Sequence, residues 1–144
     1  MGVNSLLQTF YFVVELEGLA AGGRILVDAS GFPMLLPQGF RIADGYWGVE
    51  SLPVDPGGGL TNVLAVGYDG VSDTGLIFNR QIAPTVGPAP RGQFLTTTRA
   101  NGVGLPNLSQ QGHSIVVTNV GTAPIAGAAG TVPLYLYLQG NVEH

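Results

Sequence analysis

The sequence lacks cysteine and lysine entirely, and only 10% of its 144 residues are charged. Without cysteine it cannot form disulfide bonds, thiolate zinc sites or cysteine nucleophiles. Its five cationic side chains are all arginines, scattered without a basic cluster of the kind that binds a nucleic-acid backbone. A monomer covered by water ordinarily carries about 25% charged residues. We therefore expect part of the surface to pack against other subunits and predict no nucleic-acid partner.

Side chains suited to catalysis are also scarce. His113 is the one histidine away from the C-terminus, and no serine lies in a G-x-S-x-G elbow. Glu15 and Glu17 could form a glycosidase pair, but a solvated strand end is the simpler interpretation. The turn that carries Asp69 and Asp73 lacks the spacing of an EF-hand calcium loop. We expect no enzyme activity, no catalytic residue, no cofactor and no metal site.

Long apolar runs are missing too. The longest apolar stretch, residues 6–16, is interrupted by Gln8, Thr9 and Glu15 and is shorter than the roughly 20 residues that cross a bilayer. No positive charge precedes it, as a signal peptide would require. We therefore predict no membrane insertion.

The sequence does contain 23 glycines and 10 prolines, which divide it into short β runs. The runs 6–16 and 131–139 are the strongest, and no segment has a capped helical period. Asp44-Gly45 is typical of a hairpin turn between two of the runs. The pattern predicts one all-β domain over residues 1–144, a sandwich or barrel of eight or nine strands. The remaining predicted strands are 24–29, 46–52, 60–68, 75–80, 93–99 and 113–120, together with the short run 39–43. The run 32–36 is an edge strand or an irregular piece, because it contains Pro33.

The two strongest strands are apolar on both faces, whereas a strand with one wet face alternates apolar and polar residues. One face of 131–139 carries the leucines and the other carries tyrosines. In 6–16 the phenylalanines lie on one face, and Leu7, Tyr11 and Val13 lie on the other. Loops of the same chain could cover the second face; alternatively it is a subunit interface, where aromatic residues are enriched. The interface candidates are Leu7, Tyr11, Val13, Tyr135 and Tyr137.

The short strands, the Gly/Pro-rich loops and the C-terminal strand pair HSIVVTNVGTAPIAGAAGTVPLYLYLQG resemble the jelly-roll virion structural proteins, in particular small phage capsid and capsid-decoration proteins. The resemblance implies a jelly-roll β-sandwich of about eight strands, located in the virion and without an active site. It also implies homo-oligomers, commonly trimers, in contact with other capsid proteins. Residues 1–5 would form an extended arm, and residues 83–92 a stiff clasp. Shell and decoration roles both stay open.

A second class of function is a carbohydrate- or receptor-binding β-sandwich of a phage tail or fibre. Trp47, the single tryptophan, follows Tyr46 in a predicted strand, and exposed aromatic platforms bind sugars. A lone tryptophan in a sandwich is more often part of the core. An exposed aromatic patch around Trp47 would favour the binding module.

Overall fold

The computed structural model describes residues 7–37, 40–50, 62–70, 72–82, 91–93 and 114–142. These residues contain β-strands and no helix, and so no helix that could cross a membrane. The strands are β1 (Gln8–Glu15), β2 (Arg24–Ile25), β3 (Phe40–Val49), β4 (Val63–Tyr68), β5 (Ser72–Gln81), β6 (Arg91–Gln93), β7 (Ile115–Asn119) and β8 (Pro133–Val142).

The strands form two antiparallel four-stranded sheets. Sheet 1 has the order β1-β8-β3-β6 and sheet 2 the order β2-β7-β4-β5. Each strand from the first half of the chain thus pairs with one from the second half: β1 with β8, β2 with β7, β3 with β6 and β4 with β5. Winding one long antiparallel ribbon around a sandwich produces this succession of pairs, which is the jelly-roll arrangement. The predicted all-β sandwich of about eight strands is confirmed.

The core lies between the two sheets and is built from alternate residues of their strands. Leu134, Leu136 and Leu138 of β8 are fully buried, whereas the tyrosines between them are only half-buried. Val14 of β1 and Val49 of β3 join the same core. Sheet 2 supplies the opposite layer, and every residue of β4 is buried. Burial on both faces explains why the sequence of β4 is apolar throughout.

The structure differs from the predicted strands at Asp44-Gly45, where the hairpin prediction is wrong. β3 continues through both residues and pairs with β8 along its whole length, from Phe40 opposite Val142 to Val49 opposite Leu134. A shift in register between Ile42 and Asp44 accommodates the extra residue as a bulge. The long ladder with β8 thus outweighs the local turn preference.

Residues 32–36 form no regular strand. Pro33 has no N–H group to donate to a ladder, and this segment makes only two isolated bridges, Val27 with Pro33 and Leu35 with Ser114. The proposed arm 1–5, most of the proposed clasp, most of the predicted strand 93–99 and His113 lie outside the described residues. A single domain over residues 1–144 stays a prediction.

Candidate assembly surface

The outward face of sheet 1 carries a group of aromatic side chains from three adjacent strands. In β1 and β8, Tyr11 lies opposite Tyr137 and Val13 opposite Tyr135. In β3, Tyr46 lies opposite Tyr137 from the other side. Directly opposite residues share a sheet face, so all five point away from the core. We call this group, Tyr11, Val13, Tyr46, Tyr135 and Tyr137, the tyrosine face.

The tyrosine rings contact one another across the strands. The rings of Tyr11 and Tyr135 are stacked, with centroids 6.1 Å apart and planes inclined by 21°. The rings of Tyr46 and Tyr137 lie 6.4 Å apart at an angle of 45°. Such pairs stabilise each other by about 0.5–1.5 kcal/mol beyond the area they bury. They therefore form an ordered apolar surface.

The tyrosine hydroxyls are held by polar groups of the same chain. The Tyr135 hydroxyl donates to Glu50 Oε2 over 3.1 Å, and the Tyr46 hydroxyl donates to Asp44 Oδ2 over 2.9 Å. Gln139 Nε2 donates to the Tyr137 hydroxyl over 3.2 Å. The hydrogen bond to Glu50 raises the pKa of Tyr135, with smaller contributions from desolvation and nearby charges. Two carboxylates thus lie beside the aromatic rings.

Among the described residues, no loop covers the tyrosine face. Tyr11 is 57% exposed and Tyr46 is 45% exposed, while Val13, Tyr135 and Tyr137 are half-buried. Four of the five predicted interface residues therefore share one accessible surface. The fifth, Leu7, lies just before β1 and is 59% exposed. Contiguous exposed apolar surface of this kind marks interaction sites in soluble proteins.

The sequence did not indicate Tyr46 as a member of this surface. Its membership depends on the register of β3 against β8, which the bulge before Asp44 sets. Once β3 and β8 are known to pair, the spacing of Tyr46 from the bulge would identify it as an outward-facing residue of this surface.

Phe32, Leu35 and Val27 are also exposed apolar side chains, grouped around the bridged segment after β2.

Trp47 faces the opposite way from Tyr46 and belongs to the core, with 7% of its surface exposed. A small surface depression reaches it, lined also by Gly48, Val49, Glu50 and Tyr135. A ring buried in this way offers no flat platform for a sugar. The expectation that a lone tryptophan belongs to the core is confirmed.

Glu15 and Glu17 are not a solvated strand end, so that interpretation is corrected. Both side chains are half-buried and bind the segment that leads into β8. Glu15 accepts hydrogen bonds from the Thr131 hydroxyl and, over 2.6 Å, from the Val132 N–H. Glu17 accepts one from the Gly127 N–H over 2.6 Å. The two carboxylates accept hydrogen bonds from backbone N–H groups of this loop, in the place of backbone carbonyls. Their role here is therefore structural.

The pKa of Glu15 reflects this environment. Desolvation acts to raise the pKa, but hydrogen bonds from Thr131 and from the backbone of Val132, Glu17 and Leu16 together outweigh it and lower the pKa below its ordinary value. The carboxylate is therefore a stable anion suited to accepting hydrogen bonds. It has none of the raised pKa that a general acid needs at neutral pH.

The turn at Asp69 carries an ion pair. Arg24 Nη2 lies 2.5 Å from Asp69 Oδ1 at the surface of sheet 2. This pair joins β2 to the end of β4, and an exposed pair of this kind stabilises a fold by at most about 1 kcal/mol. Across the described ranges, no three His, Asp or Glu side chains come together as a metal site would need.

Two solved structures share this fold. The chain aligns with a chain of the cyanophage Pam1 capsid asymmetric unit over 99% of its own length and 89% of that chain, with a TM-score of 0.66 and 15% identity. It aligns with a chain of the Ralstonia phage GP4 capsid over 96% and 86%, with a TM-score of 0.63 and 18% identity. No protein-family model and no curated protein sequence matches the chain. The predicted resemblance to phage capsid proteins is confirmed at the level of the fold.

Proposed function

We propose that this protein is a virion structural protein, a capsid or capsid-decoration subunit that assembles through the tyrosine face and the adjoining loops. The observation that carries the proposal is the fold shared with chains of two phage capsids over almost the whole length of all three. Alignment over 86% or more of each neighbour means that those chains are only slightly longer than this one. The virion is then its location, and other capsid proteins are its partners.

The tyrosine face supports an assembly role independently of the fold comparison. Interfaces of obligate assemblies resemble a protein core that has been divided in two, rich in aromatic side chains and poor in charge. Tyr11, Tyr46, Tyr135 and Tyr137 provide the aromatic surface, and their mutual ring contacts fix it before any partner binds. A pre-ordered surface loses less conformational entropy on binding. The shortage of charge in the sequence follows from this requirement.

The proposal includes a homo-oligomer, and light scattering on the purified chain measures its mass. The resemblance to virion proteins implied a trimer as the common state. A binding module of a tail or fibre is the alternative class, and the buried position of Trp47 removes the platform on which that alternative depended. Sugar recognition would then require the exposed tyrosines alone.

A binding experiment with particles tests the proposal. Particles are prepared from a phage that carries a deletion of this gene and are mixed with the purified chain, with Tyr137→Asp and with Ala128→Asp. Ala128 is exposed in a turn before β8 and is not one of the five residues of the tyrosine face, so Ala128→Asp is the matched control. We expect wild type and Ala128→Asp to sediment with the particles. Tyr137→Asp should stay in the supernatant, because binding would bury an unpaired charge.

Circular dichroism shows whether Tyr137→Asp remains folded. Equal sedimentation of all three chains would contradict assembly through the tyrosine face. The deletion also separates the two roles. Closed particles without this chain indicate a decoration subunit, and the binding test then applies to them. The loss of closed particles indicates a shell subunit, and the test is then whether each variant restores closed particles in infected cells.

A further inference from the structure

Within the described ranges, β1 leaves one edge of sheet 1 open. The N–H of Leu16 bonds the carbonyl of Val132, so even-numbered residues here point their backbone groups toward β8. The carbonyl of Val13 instead accepts from the N–H of Ala29, on the side away from β8. Backbone direction alternates along an antiparallel strand. The backbone groups of Thr9 and Tyr11 therefore point to the open edge, where no backbone group of the described residues bonds them.

The other three sheet edges are short or irregular. β2 has two residues and β6 has three. β5 is longer, but its register against β4 shifts twice, and Asn79 within it adopts a positive φ of 45°. Short edges, bulges and charges are the devices by which proteins prevent unwanted strand pairing. β1 has none of these devices over Gln8–Val14, a regular segment without charge or proline.

The side chains of β1 also remain partly uncovered at this edge. Phe10 and Phe12 face the core but are only partly buried, stacked on each other with ring centroids 6.4 Å apart. On the outward side, Leu7 and Tyr11 are the most exposed apolar side chains of this segment. A strand added at the edge would cover rings on both faces of β1. Strand addition combines backbone hydrogen bonds with side-chain burial.

We propose that β1 pairs antiparallel with β1 of a second copy of this chain, with Thr9 opposite Thr9 of the partner subunit. The inference extends the proposed virion role, because it names one partner and one mode of contact within the same sheet. The eight-stranded sheet across the two copies would continue the tyrosine face without interruption. The pairing has two-fold symmetry, so it predicts an even-numbered oligomer built from dimers, in place of the trimer that the resemblance to virion proteins implies.

The register follows from the free backbone groups. Ala29 already occupies the carbonyl of Val13, which leaves Leu7, Thr9 and Tyr11 pointing outward. Only a two-fold axis at Thr9 uses all three in both copies, because Leu7 then lies opposite Tyr11 of the partner subunit. This register also places the exposed leucine against the exposed tyrosine twice. Aromatic and aliphatic cross-strand pairs stabilise antiparallel sheets.

Single-cysteine variants test this register, because the chain contains no other thiol. A hydrogen-bonded antiparallel pair has Cα atoms about 5.5 Å apart, a distance that a disulfide can span. We expect Thr9→Cys to form a disulfide-linked dimer under mild oxidation on the order of ten times faster than Ser30→Cys, an exposed-turn control. Tyr11→Cys should react no faster than Ser30→Cys, since the four-residue offset separates its two copies by about 13 Å.

A second variant tests the hydrogen bonds of the edge. Thr9→Pro removes an N–H that points away from β8, so the ladder within the chain is retained. We expect a monomeric mass by sedimentation velocity and an unchanged circular dichroism spectrum. Rapid cross-linking of Phe10→Cys in place of Thr9→Cys, or no difference between Thr9→Cys and Ser30→Cys, would overturn the proposal. The purified chain suffices here, so failure leaves the particle-binding result to decide the virion role separately.

Discussion

Asn119 is a buried side chain that joins the end of β7 to two loops. Its Nδ2 donates to the carbonyls of Leu19 and Ala123 over 3.0 and 2.9 Å, and its Oδ1 accepts from the Gly121 N–H over 2.9 Å. The side chain is fully buried, so water cannot replace these bonds. The Asn119 amide therefore adds three side-chain hydrogen bonds to the backbone bonds that join the loops at this end of the sandwich.

Replacement of Asn119 by alanine should destabilise the fold. Asn119→Ala leaves the Ala123 carbonyl and the Gly121 N–H without these partners, at about 1–3 kcal/mol for each group that stays buried, whereas the Leu19 carbonyl keeps the Ile125 N–H. Partial relaxation toward water reduces the sum, and we expect a loss of about 3 kcal/mol in the free energy of unfolding. Urea denaturation measures it. Thr122→Ala, in the exposed part of the same loop, is the control and should change stability by less than about 0.5 kcal/mol.

Glu15 makes the stability of the fold depend on pH. Its pKa is lowered in the folded chain, so the anion stabilises the fold above the ordinary pKa of glutamate. This contribution is lost as the pH falls through the lowered pKa. We expect Glu15→Gln to be less stable than wild type at pH 7, and the difference to shrink below about pH 4. Urea denaturation at a series of pH values measures the difference; a difference that stays constant would contradict this role.

At the scale of elements, β8 divides its two faces between the core and the proposed assembly surface. Leu134, Leu136 and Leu138 fill the core from one face, while Tyr135 and Tyr137 lie on the accessible face. As the second strand of sheet 1, β8 pairs with both β1 and β3. The two functions therefore alternate residue by residue along a single strand.

Two neighbouring substitutions in β8 should separate these functions. Leu136→Ala removes a fully buried side chain and should reduce the free energy of unfolding by about 3 kcal/mol. Tyr137→Ser removes ring contacts at the surface and should cost less than about 1.5 kcal/mol, while binding to the particles is lost. Thermal unfolding and sedimentation with the particles measure the two effects on both variants. A larger loss of stability in Tyr137→Ser than in Leu136→Ala would contradict the division.

The alternation of β1 and β8 could be predicted from the sequence, because it depends only on residues two apart. The structure confirms the inward rows and places Tyr11, Val13, Tyr135 and Tyr137 together on the outward face. Features that depend on pairing between distant segments could not be predicted. The bulge before Asp44 and the position of Tyr46 depend on β8, almost a hundred residues away.

The roles of Glu15 and Glu17 likewise depend on residues that are distant in the sequence. Local sequence indicated two charges at the end of a strand, and such charges are usually solvated. Their partners, Thr131, Val132 and Gly127, lie more than a hundred residues along the chain. Only the pairing of the first strand with the last one brings these segments together.

At the scale of the whole molecule, the shortage of charged residues corresponds to two particular surfaces of sheet 1. Sheet 1 exposes the tyrosine face on its outward side and, within the described part of the chain, the open outer edge of β1. Both surfaces would be buried in an assembly of many copies, which is the environment of a capsid. The fold shared with chains of the Pam1 and GP4 capsids agrees with that environment.

Quantitative mass spectrometry of gradient-purified particles, from cells infected with the phage that encodes this chain, tests the virion role most directly. We expect the chain in the particle fraction, at a fixed ratio to the other particle proteins that repeated gradients do not change. A chain that is found only in the soluble lysate, or whose ratio falls with each gradient, would contradict a structural role in the virion.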